Sequence, residues 1–175
     1  MTTRVDAPTS AGLHTQSTEV ARLYQEGIVA GVLGAAVIAL WFLILDSFAG
    51  RPFYTPTVLG TALFRHGVGL DRPEMVETSF DMVVVFTWVH LLVFAVLGGV
   101  ASHLLALAER RPNLGFGVVL LFVIFEFGFV TLCMVFAEDV LHALAWEKVL
   151  IGNTLAAAAM AAYLWRRHPH LYIAP

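Results

Sequence analysis

The sequence contains few of the residues that soluble proteins use for their surfaces and cofactor sites. Charged residues make up 13% of its 175 residues, about half the usual share, whereas hydrophobic residues make up 59%. A net charge of −3 provides no basic surface for nucleic acid. The single cysteine, Cys133, excludes an intramolecular disulfide and any zinc or iron–sulfur site built from the cysteines of one chain. This composition predicts a membrane protein.

Four apolar runs are long enough to cross a bilayer, which requires roughly 17–25 helical residues. They occupy residues 27–45, 82–107, 114–137 and 149–165. The sequence therefore predicts an all-α fold, an integral membrane bundle of four transmembrane helices that forms a single domain over residues 21–168. Residues 1–20 are polar and predict a flexible N-terminal tail, and residues 169–175 predict a short C-terminal tail.

The long connection between the first two spans is too apolar for a solvated linker. Thr55-Pro56 matches an N-cap followed by proline at the first helical position, and apolar residues follow at helical spacing. We expect a short helix over residues 56–65 in the membrane interface, and a second long helix that begins at Pro73. The side chains expected to contact the membrane or a partner are Phe53, Tyr54, Val58, Leu59, Leu63 and Phe64.

Four spans place both termini on one side of the membrane, and the positions of arginine and lysine indicate which side. The terminal side would carry six arginines, and the opposite side three arginines and one lysine. The pairs Arg110-Arg111 and Arg166-Arg167 lie directly at span ends, where this rule has most force. We therefore predict a bacterial inner (cytoplasmic) membrane protein with cytoplasmic termini. Eight of the thirteen acids, Asp46 among them, then lie on the outer face, and we interpret them as a solvated rim.

A stripe of small residues on the first span indicates close helix packing. Gly27, Gly31 and Ala35 follow one another at four-residue spacing. Such a stripe lets the backbone of a second helix approach closely. The sequence leaves open whether that second helix belongs to the same chain or to another subunit.

Ionisable residues inside a span cost at least about 2.5–3.5 kcal/mol each and are therefore candidates for function. At about 1.5 Å per residue, His90 lies about 12 Å and Glu126 about 16 Å from the outer ends of their helices. Because a short turn makes these two spans antiparallel neighbours, we expect the imidazole and the carboxyl group to meet. The expected supporting polar residues are Thr87, Cys133 and Asn153.

Three interpretations of this pair remain open: a structural hydrogen bond between helices, a proton relay, and a metal or haem site. The candidate metal ligands are too few to identify an ion; they are His90, Glu126, Glu138 and His142. His90 and His103 lie about 140° apart around one helix, which argues against a bis-histidine haem site in one chain. No cofactor is predicted.

No nucleotide-binding, nucleophile or zinc-protease motif occurs. We therefore predict a protein without catalysis of its own, an accessory or scaffolding subunit of a larger membrane complex. Its partners would be the lipid bilayer and either other membrane subunits or further copies of itself, and no nucleic acid. The alternative is a membrane protein centred on His90 and Glu126 that relays protons or handles a metal or haem.

Overall fold

The computed structural model describes residues 10–66, 68–70, 72, 75–110 and 146–168. Within these ranges the chain forms four helices: α1 (Ser10–Phe48), α2 (Tyr54–Phe64), α3 (Phe80–Arg110) and α4 (Trp146–Arg167). By length and composition, α1, α3 and α4 can each cross a membrane. The all-α fold and three of the four predicted spans are confirmed in this sense. The predicted span 114–137 lies outside the described residues.

Two of the long helices begin at other residues than the sequence predicts. α1 already begins at Ser10, well before the apolar run that starts at residue 27. α3 begins at Phe80 and not at Pro73. Residues 76–79 are not helical because their backbone groups bond to other segments: the Val76 carbonyl accepts a hydrogen bond from Arg51, and the Ser79 N–H donates to Thr57.

The short helix predicted over residues 56–65 is present as α2, but its start is formed differently. The helix begins at Tyr54, so Thr55 is not its N-cap; Phe53 precedes it in a left-handed conformation with φ 66°. The side chain of Asp46, at the end of α1, accepts hydrogen bonds from the Thr55 N–H at 2.7 Å and from the Thr55 hydroxyl at 2.8 Å. A residue on another helix therefore satisfies a free N–H group at the start of α2.

The core of the structure lies along a seam between α1 and α3, which run antiparallel. The hydroxyl of Ser102 donates to the Leu23 carbonyl at 3.0 Å, and the ring of His90 lies 3.3 Å from the Ala35 carbonyl. Between these two contacts, Gly27 and Gly31 of α1 meet the backbone of α3. Each step of four residues along α1 is thus matched by a step of four residues back along α3.

The glycines of the seam let two backbones touch. A Cβ atom at Gly31 would overlap the Phe94 carbonyl, and a Cβ atom at Gly98 would overlap the Gly27 carbonyl. Ala35 and Ser102, which lie near the two ends of the seam, are almost completely buried. The partner of the small-residue stripe is therefore inside the chain, which answers the question that the sequence leaves open.

α4 packs against another part of α1, through side chains. The indole Nε1 of Trp41 donates to the Lys148 carbonyl at 2.9 Å, and the Met160 sulfur lies over Gly34. Most of the apolar surface of the long helices remains exposed: 6% of the most apolar window of α3 is buried. Exposed apolar side chains of this kind match a hydrocarbon solvent.

Replacing Gly98 by alanine should destabilise the bundle by about 1–3 kcal/mol, because the new methyl group would overlap the Gly27 carbonyl. Gly99→Ala is the matched control, since a Cβ atom there meets nothing within 4 Å. We expect this control to be neutral or to stabilise by up to about 1 kcal/mol through helix propensity. Thermal unfolding in detergent measures both variants. Equal unfolding temperatures would show that α1 and α3 do not meet through their backbones.

Candidate functional site

His90 lies half-buried in the middle of the α1–α3 seam. Its ring packs between those of Phe86 and Phe94, with centroid distances of 5.6 and 4.7 Å. The Nε2 atom faces the Ala35 carbonyl at 3.3 Å. Because a carbonyl oxygen only accepts hydrogen bonds, this contact assigns the proton of a neutral imidazole to Nε2 and leaves Nδ1 as an acceptor.

The partner predicted for His90 is Glu126, which lies outside the described residues, as do Cys133, Glu138 and His142. The His90–Glu126 pair and the metal interpretation therefore stay predictions. Of the supporting residues, Thr87 donates its hydroxyl to the Val83 carbonyl at 2.6 Å within its own helix. Asn153 is half-buried on α4.

The side chains predicted to contact membrane or partner from the first loop divide into two groups. Phe53, Leu63 and Phe64 are exposed. Val58 is completely buried and forms a small core with Leu70, against which Tyr54 and Leu59 pack. The prediction of a membrane or partner contact for Val58 is therefore wrong.

Two groups of polar side chains lie at opposite ends of the bundle. The loop end is the one that carries Asp46, Arg51 and Lys148, and the terminal end is the one that carries Glu26 and His168. At the loop end, Asp46 is 6% exposed, so its assignment to a solvated rim is wrong for this residue. Its carboxylate holds the start of α2 against the end of α1.

At the terminal end, a histidine joins three helices. Nδ1 of His168, directly after α4, lies 2.9 Å from Oε1 of Glu109 on α3. Nε2 of the same ring is buried and lies 3.3 Å from Oε2 of Glu26 on α1, without hydrogen-bond alignment. Glu26 also accepts a hydrogen bond from Arg22 at 2.9 Å. We call Glu26, Glu109 and His168 the terminal triad.

The terminal triad was missed by the sequence reasoning, which leaves Glu26 out and assigns His168 to the C-terminal tail. The one local signal is that Glu26 directly precedes an apolar run and follows Arg22 by one helical turn. No local pattern links Glu26 to a histidine 142 positions later. Only the antiparallel packing of three helices brings these residues together.

The geometry of the triad suits a held proton better than a metal ion. A neutral imidazole has one N–H, so only the imidazolium presents a proton to both carboxylates. The carboxylates lie against opposite ring nitrogens and do not converge on one point. Among the described residues, no group of three or more His, Cys, Asp or Glu side chains has an arrangement that could hold a metal ion.

We expect Glu26→Gln to destabilise the bundle by about 1–3 kcal/mol, because it removes a buried charge that contacts both Arg22 and His168. Glu147→Gln is the control: it makes the same change at an exposed acid in the first turn of α4, and it should stay within about 0.5 kcal/mol of the parent protein. Thermal unfolding in detergent measures both. A loss no larger than that of the control would show that Glu26 does not stabilise the terminal end.

Comparisons with known proteins assign no identity to these sites. No family model, no curated protein and no solved structure matches the chain. The function is therefore argued from the contacts, burial and charges of the residues described above.

Proposed function

We propose that the chain is a non-catalytic membrane subunit that scaffolds a larger complex. The observation that carries this proposal is the use of the buried polar side chains. Asp46 joins α1 to α2, Ser102 joins α3 to α1, and Glu26 contacts the residue that follows α4. Each of these groups connects structural elements, which is the role of buried polar groups in a rigid framework.

The exposed surface of α3 supports the same proposal. Five side chains spaced four residues apart are all more than half exposed and apolar: Val84, Trp88, Leu92, Val96 and Val100. This row runs along most of the span. An unbranched apolar row of this length offers lipid or a second transmembrane helix a continuous contact.

The proposed location is a bacterial inner membrane, with both termini in the cytoplasm and the exposed side chains of α2 in the outer interface. The arginines at the terminal end, of which Arg166 and Arg167 are exposed at the end of α4, support this orientation. A reporter fused after Pro175 should be cytoplasmic, and one inserted at Gly67 should be external. The reverse result would contradict the proposed orientation.

The second candidate function is proton transfer through His90 and Glu126. The contact of Nε2 with the Ala35 carbonyl supports it, since Nδ1 can then accept a proton from a neutral carboxyl group. Glu126→Gln keeps a hydrogen-bond donor but cannot release a proton. The two candidate functions therefore give different expectations for this variant.

Affinity purification in polymer nanodiscs tests both candidates. The scaffold proposal expects larger subunits, or further copies of the chain, to co-purify equally with the parent protein and with Glu126→Gln. A monomer without partners would contradict it, and so would a stoichiometric metal or a haem absorption band. Proton transfer instead expects Glu126→Gln to assemble normally while the activity of the complex is lost. Unchanged activity would exclude proton transfer through this pair.

A further inference from the structure

The loop end of the bundle contains a cleft with an apolar floor and cationic side chains at its mouth. Phe42 and Leu45 of α1 form the floor. Asp46, Arg51 and Lys148 supply the charges. The cleft lies between the end of α1, the start of α2 and the start of α4.

The charges of the cleft are unequal, because its one acid is already engaged. Both oxygens of the Asp46 carboxylate accept hydrogen bonds from Thr55. Lys148 is exposed, and its ammonium group forms no ion pair with any residue of the described ranges. Two cations and one engaged carboxylate leave a positive excess, which attracts an anion.

The cationic groups stand on fixed supports. Nη2 of Arg51 donates to the Val76 carbonyl at 2.7 Å, and the guanidinium carbon lies 4.0 Å from the centre of the Tyr54 ring. The backbone carbonyl of Lys148 accepts a hydrogen bond from the Trp41 indole. A guanidinium group held in this way loses little further freedom when it binds an anion.

The cleft also lies at the depth where lipid headgroups are found. The apolar window of α1 ends at Phe48, two residues after Asp46. Trp41 lies about two turns before this end, as tryptophan commonly does at a membrane interface. An anion that enters here therefore has headgroups on one side and acyl chains on the other.

We infer that this cleft binds the phosphate group of an anionic glycerophospholipid. Lys148 and Arg51 would donate charge-assisted hydrogen bonds to the phosphate oxygens, which prefer such donors. The glycerol and the first methylene groups would cover Phe42 and Leu45. Juxtamembrane cations recognise anionic lipids in the same way.

The test measures the unfolding temperature of lipid-depleted protein in detergent as phosphatidylglycerol is added. The parent protein should be stabilised at saturation, and Lys148→Gln should bind the lipid about tenfold more weakly. Lys148→Arg should restore binding. Arg65→Gln, which removes an exposed charge at the end of α2 outside the cleft, should bind like the parent protein.

Two further ligands separate the phosphate from the rest of the lipid. Diacylglycerol with the same acyl chains should stabilise the protein much less than phosphatidylglycerol does, and so should inorganic phosphate at equal concentration. Equal stabilisation by inorganic phosphate would identify a soluble anion site, and equal stabilisation by diacylglycerol an acyl-chain site. Either result, or equal lipid binding by Lys148→Gln and Arg65→Gln, would overturn the inference.

Discussion

Direct contact between the backbones of α1 and α3 is the constraint on which the other packing depends. Gly27, Gly31 and Gly98 remove the side chains that would otherwise hold the two helices apart. Inside a bilayer, burial of apolar surface gives little drive for association, so helices associate largely through close packing and polar bonds. The seam supplies the close packing, and Ser102 and His90 add polar contacts near its two ends.

Much of the fold follows from local properties of the sequence. Length and hydropathy locate α1, α3 and α4, since a span must satisfy its own backbone in lipid. The buried side of α2 was harder to predict because it contains threonines: Thr55, Thr57 and Thr61 are buried together with Val58. The Thr57 hydroxyl donates to the Phe53 carbonyl one turn earlier. A residue that hydropathy treats as polar can thus be buried without an unsatisfied group.

The polar clusters follow from the sequence much less well, because their members are far apart in the chain. Asp46 and Thr55 are nine residues apart, and Glu26 and His168 are 142 apart. A charge next to an apolar run is ordinarily solvated, and nothing local distinguishes Asp46 or Glu26 from such a residue. His90 could be selected from sequence because its position inside a span is itself costly. Its contact with the Ala35 carbonyl depends on the register of the seam.

The four-residue period of the seam has a mechanical consequence. A displacement of α1 along α3 by one residue, about 1.5 Å, would move glycines away from the backbone they contact and bring Cβ atoms into their place. The next register that preserves the period is about 6 Å away. Small sliding movements are therefore blocked, and α1 and α3 form one rigid unit. α4 rests on α1 through the indole of Trp41 and the flexible thioether of Met160, a contact that can adapt. Any conformational change in the described part of the domain is therefore a movement of α4 against the α1–α3 pair.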